Sequence, residues 1–384
     1  TYTIYNIKNK KLGGIKVDNK EKEQTIENKE QTKKSNPKLL IFNTIFIIAV
    51  LVGVFIYMMN EDGAEHIGEV LSTANHLWMA IGFVFLIMMW LAETMNLHIP
   101  LKKLYPTQKF TNTLKITMIG QLFNNLTPFS TGGQVMQVYE MNRSGKRTSD
   151  SLSILTMKFL VQQITMMLLS LVFIIFQFTY FRQVFQNYIA IGIIGLCINI
   201  GMMIILILIG TKKELIMNVA RPVIRFIAKI KIGRIQFIKN PEEKIEKFDQ
   251  SVINFNKQFK MMKDHPKVVA QMAVAGTIQA IMYYAITYAV YKTFGNNGTS
   301  LPQIVILQTF LMLLVNIVPT PGAGLGAEGG FILIFGPIFR EGTINIATLF
   351  WRMYTFYMPM LIGVLFMIPT KRDRTVRKES WDKE

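Results

Sequence analysis

Residues 268–291 read VVAQMAVAGTIQAIMYYAITYAVY, a run of 24 residues without a charged side chain. Two more uncharged runs, 39–59 and 188–210, have 21 and 23 residues. A helix needs about 20 apolar residues to cross a bilayer. The chain of 384 residues is 51% hydrophobic and 17% charged, with a mean hydropathy of +0.31. These features exclude a soluble enzyme, a secreted disulfide scaffold and a disordered chain, and they predict a polytopic membrane protein.

The net charge of +18 is distributed unevenly along the chain. Most of the 42 Lys and Arg residues lie in five segments, which are 1–38, 99–118, 141–150, 211–267 and 370–384. The positive-inside rule places such segments in the cytoplasm, and the acidic segment 60–76 and the uncharged segment 293–302 outside. We interpret the excess of basic residues as a determinant of membrane topology and as a source of attraction to anionic lipid of the inner leaflet. The excess of basic residues does not indicate nucleic-acid binding, because the basic stretches lack a nucleic-acid-binding motif.

The uncharged runs and the loop charges together predict six membrane spans, which are 39–59, 77–98, 151–180, 188–210, 268–291 and 344–369. Two further apolar segments, 116–141 and 302–339, each begin and end on one side of the membrane by these charges. The first is too short for two crossings of about 20 residues each. We therefore expect an all-α integral membrane protein with about six transmembrane helices and two re-entrant helical hairpins.

Both predicted hairpins carry the pattern Asn-x-x-Pro followed by glycines. In the first hairpin these residues are Asn125, Pro128, Gly132 and Gly133. In the second they are Asn316, Pro319, Pro321, Gly322, Gly324 and Gly326. Each hairpin precedes a span with one cation, Lys158 or Arg352, and the two hairpins enter from opposite sides. This pattern predicts an inverted repeat, an arrangement that places a transport site near the membrane midplane.

The predicted domain organisation follows from this repeat. We expect a disordered basic tail at 1–37, a transmembrane domain at 38–370 and a second basic tail at 371–384. Within the domain, the first repeat covers about 77–210 and the second about 268–370, with a basic cytoplasmic loop at 211–267.

The charged residues inside the predicted spans are candidate site residues, because a charge in the hydrocarbon needs a partner or a polar cavity. Glu328 is the one charge between Lys292 and Arg340, so it is the expected partner of Arg352 or of a cationic ligand. Half-helix N-termini in the hairpins, with Lys158 and Arg352, would hold a phosphate. The alternatives are a purely structural Glu–Arg pair and ordinary Pro-Gly turns.

Three other ionisable residues are less certain candidates. Glu93 lies five residues before His98, and we interpret it as a snorkelling carboxylate at the inner interface. Glu140 and Arg340 close the two hairpins and are interpreted as boundary residues. The single cysteine and the four scattered histidines offer no metal-ligand spacing, so we expect no metal and no cofactor.

The loop 211–267 shows a helical stripe at spacings of three and four, formed by Ile245, Phe248, Val252, Phe255 and Phe259. Upstream of it, basic residues alternate with Ile and Phe between Arg221 and Arg234. A basic amphipathic helix on the inner leaflet fits this pattern. A loop helix packed on its own protein fits it equally.

The stretches GQLFNNLTPFSTGG at 120–133 and VPTPGAGLGAE at 318–328 resemble the flippase-like transmembrane region of lysylphosphatidylglycerol synthases, the multiple peptide resistance factors, and its stand-alone relatives. The similarity covers about 40–369. It implies movement of an aminoacylated lipid from the inner to the outer leaflet of a bacterial plasma membrane, and with it resistance to cationic antimicrobial peptides. About 15 residues follow the last predicted span, so a soluble aminoacyltransferase domain, and lysyl transfer by this chain alone, are not expected.

The leading hypothesis is that the protein is a flippase-like lipid transporter. We expect it to cross the plasma membrane several times, with both termini in the cytoplasm. Its expected ligand is a membrane phospholipid. One alternative is a lipid-carrier transferase enzyme that uses Glu61 and Asp62 on the outer side. The other is an accessory subunit of a phosphatidylglycerol lysyltransferase, with a separate synthase or a second copy of the chain as partner.

Overall fold

The computed structural model describes residues 72–127, 132–176, 179, 197, 200–201, 204–229, 231–232, 235–236, 240–315 and 324–367. All of them belong to one compact unit, residues 62–384. The predicted span 39–59 and both predicted tails lie outside the described residues, as does much of the predicted span 188–210, of which residues 204–210 are helical.

Four helices make up the first half of the described chain. They are α1 (His76–Leu104), α2 (Phe110–Leu126), α3 (Gly132–Arg143) and α4 (Thr148–Phe176). Asn75 caps α1, because its Oδ1 accepts hydrogen bonds from the backbone N–H groups of Leu77 and Trp78 at 3.1 and 3.3 Å. Helix α1 is longer than the predicted span, since it continues through Pro100 to Leu104.

The predicted cytoplasmic loop contains two helices and a minimal β-hairpin. These elements are α5 (Lys213–Lys229), β1 (Lys231–Ile232), β2 (Ile235–Gln236) and α6 (Pro241–Asp264). The two strands are antiparallel, with Lys231 opposite Gln236. Ion pairs connect the helices, since Arg221 binds Asp249 at 2.7 Å and Arg225 binds Glu242 at 3.0 Å.

Helices of the same kinds recur in the second half. They are α7 (Pro266–Thr293), α8 (Leu301–Val315), α9 (Gly324–Phe335) and a last span formed by α10 (Ile344–Arg352), a π-helical turn (Met353–Tyr357) and α11 (Met358–Phe366). Pro266 begins α7, where its missing N–H costs no hydrogen bond. A short 3₁₀ turn, Gly336–Ile338, follows α9.

The two halves have the same order of elements: a long helix, two shorter helices that pack on each other, and a second long helix. The helices of the first half have 29, 17, 12 and 29 residues, and those of the second have 28, 15, 12 and 23. A glycine with positive φ precedes the last long helix in both, Gly145 at 88° and Gly342 at 76°. The described residues of the two halves thus share one order of long and short helices, as the predicted repeat would have.

The first helices of the two halves, α1 and α7, pack side by side in opposite directions. The backbone N–H of Asn75 donates to the Thr293 carbonyl at 2.8 Å, at the start of α1 and the end of α7. At the other end, Gly276 lies against the Asn96 side chain. The antiparallel packing is the relation that an inverted repeat requires.

Four helices are long and apolar enough to cross a membrane, among the residues that the structure describes. They are His76–Leu104, Thr148–Phe173, Pro266–Thr293 and Ile344–Phe366. On α1, every fourth residue from Phe83 to Met95 is 39–46% exposed. The opposite face carries fully buried Leu86 and Leu97. A helix that is apolar on its exposed face as well as on its packed face suits a lipid environment. The fold is an all-α membrane protein.

Helix α6 uses its apolar stripe for packing on the rest of the protein. Ile245 and Val252 are 6% and 3% exposed, and Phe255 and Phe259 pack against buried residues of α4 and α7. The Gln258 amide also donates to Ser153 of α4 at 2.6 Å. Of the two alternatives for this stripe, the structure therefore supports the packed loop helix.

Helix α5 differs from α6, because its apolar face is exposed. Large side chains along one side of the helix are 38–67% exposed; they are Leu215, Val219, Val223, Phe226 and Ile227. The side with Met217 and Ala228 is buried, and Arg221 and Arg225 bind α6. Helix α5, which contains Arg221 and Arg225 of the predicted basic stretch, is thus amphipathic with its apolar side exposed.

Candidate functional site

The two arms of the first hairpin, α2 and α3, approach each other very closely at Gly133. A Cβ added there would overlap the Gly120 carbonyl oxygen and the Asn124 side chain. The backbone N–H of Gly133 donates to Asn124 Oδ1 at 3.1 Å, and that of Gly132 donates to Thr127 Oγ1 at 2.8 Å. Two donors at the start of α3 are therefore occupied by the protein itself, so they do not offer the free phosphate site expected from the sequence.

Asn125 connects the first hairpin to the second half of the molecule. Its amide donates to the Phe356 carbonyl at 3.1 Å. Phe356 lies in the π-helical turn Met353–Tyr357, where the i→i−4 hydrogen-bond pattern is interrupted. Asn125, a candidate residue of the first-hairpin motif, thus fixes the last span, and Gly363 of that span packs directly on α2.

Glu93 and Lys158 form a buried ion pair between α1 and α4. Lys158 Nζ lies 2.9 Å from Glu93 Oε1, and the two side chains are 13% and 7% exposed. The Gln121 amide of α2 donates to the second carboxylate oxygen, Oε2. Three elements of the first half therefore meet at one carboxylate.

From the sequence, Glu93 is interpreted as a snorkelling carboxylate at the inner interface. In the structure its side chain is buried and paired with the cation of α4, 11 residues before the end of α1 at Leu104.

Further polar side chains lie close to this pair along the helices. The Asn96 amide, one turn after Glu93, donates to Gln162 Oε1 at 2.9 Å. Gln162 lies one turn after Lys158, and it contacts Gly276 of α7. The Asn96 Oδ1 and Thr94 Oγ1 atoms are buried without a hydrogen bond. Buried unsatisfied acceptors of this kind can bind water or a polar ligand group.

Arg352 and Glu328 form the corresponding ion pair in the second half, at 3.3 Å between Nε and Oε1. The contact expected between these residues is therefore present. Arg352 is 6% exposed, whereas the Glu328 side chain is 33% exposed. The guanidinium lies 5.2 Å from the Trp351 ring centroid and 5.3 Å from that of Phe356. Arg352 is enclosed by protein, and Glu328 is the accessible member of the pair.

The boundary residues lie as follows. Glu140 is 6% exposed as a residue and lies 3.9 Å from Arg143 in the last turns of α3. The Arg340 backbone N–H donates to Asn296 Oδ1 at 3.0 Å, which joins the end of the second hairpin to the turn after α7. That these residues mark the membrane boundaries stays a prediction.

Several candidate residues lie outside the described residues. They are Glu61, Asp62, Pro128, Asn316, Pro319, Pro321 and Gly322. Gly324 and Gly326 are in the first turn of α9.

Lys146 lies in the turn between α3 and α4, outside the four candidate spans. The residue is 5% exposed, and its ammonium lies 5.6 Å from the Tyr105 ring centroid. Burial lowers the pKa of Lys146 to about 8, while the Glu140 carboxylate acts in the opposite direction. This corner of the first hairpin therefore loses a positive charge in mildly alkaline solution.

Residues 43–363 match the family described as the lysylphosphatidylglycerol synthase TM region. The chain belongs to this family. The match covers both halves of the repeat and both ion pairs, so the resemblance inferred from the hairpin motifs is confirmed.

A UPF0104 membrane protein of Archaeoglobus fulgidus is similar to this member of the lysylphosphatidylglycerol synthase TM family. The two are 21% identical over 325 residues, which is 83% of this chain and 94% of that protein. The family and the apolar helices place the chain in a membrane. This relative is archaeal, so a bacterial source stays a prediction.

The polar residues of this family member that the sequence analysis missed are Gln121, Asn124, Asn96 and Gln162. A signal for two of them is present in the sequence. Asn96 follows Glu93 by three residues and Gln162 follows Lys158 by four, so each lies on the same helix face as a charged residue. Chemically, the two ion pairs provide a carboxylate and a cation in each half, which together can bind both parts of a zwitterionic group.

Proposed function

We propose that the chain moves a phospholipid between leaflets by passing its headgroup along the buried polar residues of the two halves. The observation that carries this proposal is the presence of two ion pairs, Glu93–Lys158 and Glu328–Arg352, one in each half of the described chain. Charged side chains deep in membrane helices are costly and mark polar pathways. A pathway with a charged headgroup as cargo fits the family better than an inert scaffold does.

The headgroup that the second ion pair favours carries an amino group. Glu328 presents an accessible carboxylate, whereas its partner Arg352 is enclosed. An ammonium group can therefore reach the carboxylate, while Arg352 holds the carboxylate in position. An aminoacylated phosphatidylglycerol of the lysyl type has such an ammonium group. On this proposal Lys158, which is 13% exposed, is the cation for its phosphate.

The antiparallel halves supply a way to expose the site on either side. Asn125 of the first hairpin holds a carbonyl of the last span, and α1 packs along α7. If the two units rock against each other about this contact, the polar residues open to one leaflet and then to the other. The charges stay inside the protein while the acyl chains remain in lipid.

The experiment is a leaflet-exchange assay in liposomes that contain the purified protein and a labelled lysyl-phosphatidylglycerol. The wild-type protein should make inner-leaflet label accessible from outside. The substitution Glu328→Gln should slow this exchange at least about tenfold, since a hydrogen bond to a charged group is worth about 1.5–3 kcal/mol. Glu341→Gln is the matched control, because Glu341 is exposed and lies outside the helices. The Glu341→Gln variant should exchange lipid at the wild-type rate.

Exchange at the rate of protein-free vesicles would reject transport by the chain alone. If adding a separate synthase then restored exchange, the accessory role would be favoured. Parallel vesicles with unmodified phosphatidylglycerol and with a polyprenyl phosphate identify the headgroup that is carried.

We also propose that α5 lies in the inner-leaflet interface with its exposed apolar side in lipid. The helix combines that side with Arg221 and Arg225 on the opposite side, as basic interfacial helices do. A spin label at Val219 should be accessible to oxygen and protected from a water-soluble nickel complex, and a label at the adjacent Asn218 should show the reverse. Equal accessibility at both positions would place α5 in water.

A further inference from the structure

Helices α5 and α6 form the connection between the two halves of the chain. Only Lys212 separates α5 from the helical residues 204–211, at the end of the first predicted repeat. Only His265 separates α6 from α7, the first helix of the second half. Because the two helices of this connection continue into different halves, the contacts between them influence how far the halves can separate.

Two ion pairs hold this connection folded back on itself. Arg221 donates from Nε and Nη2 to Asp249 Oδ2, at 3.0 and 2.7 Å, and Arg225 makes two hydrogen bonds to Glu242. The first pair is more enclosed, since the Asp249 side chain is 16% exposed and that of Glu242 is 71% exposed. An ion pair with two hydrogen bonds and partial enclosure contributes more than an exposed pair does. The contact of Arg221 with Asp249 is therefore the main connection between α5 and α6.

Helix α6 is also attached to the first half at two points. The Asn256 amide donates to the Gly210 carbonyl at 2.7 Å, and the Gln258 amide donates to Ser153 Oγ of α4 at 2.6 Å. Both amide residues are buried. The Phe259 ring packs so closely on Gly210 that a Cβ added to the glycine would overlap it. The helix that leads into the second half is thus bound to two helices of the first.

A buried apolar cluster lies beside these attachment points. It joins Met157 of α4, Met262 of α6 and Met272 of α7. On α4, Ser153 precedes Met157 by one turn and precedes the buried cation Lys158 by five residues, or about 7.5 Å along the helix axis. If α7 moves away from α4 at this end and carries α6 with it, both attachment points must break.

We propose that α5 and α6 form a clamp that holds the two halves together at the end where α4 and α7 begin, and that release of this clamp opens that end. The clamp consists of the ion pair between Arg221 and Asp249 and the two attachment points made by Asn256 and Gln258. The positive-inside rule predicts that this end faces the cytoplasm. The inference rests on the rocking of the two halves in the proposed function, but the contacts of the clamp can be tested without any movement of lipid.

The first experiment measures the distance between two spin labels by pulsed electron paramagnetic resonance. The labels are attached to the full chain at Leu152→Cys on α4 and Lys267→Cys on α7, and Cys197→Ser removes the native cysteine. Both labelled positions are exposed and lie in the first two turns of their helices. With the clamp intact, one short distance should dominate the distribution.

Two sets of substitutions release the clamp. Arg221→Asp, and Asn256→Ala combined with Gln258→Ala, should each raise the ratio of longer to short distances at least about fivefold, which is the effect of losing two hydrogen bonds of ordinary strength. Arg221→Asp combined with Asp249→Arg should restore the short distance, because it rebuilds the ion pair. Lys247→Gln is the matched control, since Lys247 pairs within α6, and it should leave the distribution unchanged. The clamp is overturned if Arg221→Asp has no effect or if Lys247→Gln has the same effect.

The second experiment locks the clamp. In the chain with Cys197→Ser, the cysteines of Ser153→Cys and Gln258→Cys are joined by a short bismethanethiosulfonate reagent, which dithiothreitol removes. The cross-linked protein should exchange lysyl-phosphatidylglycerol no faster than protein-free vesicles do, and the reduced protein should recover. Undiminished exchange by fully cross-linked protein would overturn the clamp. If the protein exchanges no lipid before cross-linking, the proposed function fails, and the spin-label distances still decide whether the clamp exists.

Discussion

Replacing Lys158 with methionine is expected to lower the free energy of unfolding by about 3–5 kcal/mol, because the Glu93 charge is left buried without its cation. Gln121 would still donate to the carboxylate, but a neutral amide does not balance its charge. The measurement is unfolding of the purified protein in detergent, by heat or by titration with a denaturing detergent.

A second substitution separates this effect from lost packing. The double variant Glu93→Gln with Lys158→Met removes both charges and should recover most of the stability, since neutral groups cost less to bury. Lys267→Met, at an exposed position, is the control for a lost lysine and should unfold as the wild type does. If the double variant were as unstable as Lys158→Met, the ion pair would not be the cause.

Gly133→Ala should destabilise the first hairpin by about 1–3 kcal/mol, the usual cost of overpacking. The added methyl group would overlap the Gly120 carbonyl and the Asn124 side chain. Both belong to α2, so α3 must move away and the hydrogen bond from the Gly133 N–H to Asn124 is lost. The unfolding temperature should fall, and proteolysis should begin at the hairpin.

Gly329→Ala is the matched control in the second hairpin. No atom lies within 4 Å of a Cβ added there, and Gly329 is inside α9. Because alanine favours a helix more than glycine does by about 1 kcal/mol, this substitution should be neutral or slightly stabilising. Equal loss of stability in both variants would contradict the close contact at Gly133.

Much of the architecture could be predicted from the sequence because it depends on charge and hydrophobicity alone. Hydrophobic segments and the charges of the loops between them place the four described spans, and the glycines mark the arms of the first hairpin. The contact of Glu328 with Arg352 was expected because no other charge lies between Lys292 and Arg340. The contact could be predicted because that segment offers Arg352 no other acidic partner, and not because the sequence shows where the two side chains lie.

Other features depend on three-dimensional packing that the sequence does not encode locally. The span predicted at 77–98 continues as a helix to Leu104, and the contact of Glu93 with Lys158 depends on how α4 packs against α1. Asn124 and Asn125 are adjacent, but they point about 100° apart on α2, so one binds α3 and the other the last span. No residue pattern in the sequence predicts the π-helical turn at Met353–Tyr357.

The electrical neutrality of each buried ion pair has a consequence for energetics. Since each pair joins one acidic and one basic side chain, the proposed rocking would displace almost no net charge through these four residues. A membrane voltage would then act on the charge of a transported lipid, with about 2.3 kcal/mol per elementary charge for each 100 mV. Lysyl-phosphatidylglycerol, with a net charge of +1, and phosphatidylglycerol, with −1, would be driven in opposite directions, so the polarity of the cell would decide which leaflet each one fills.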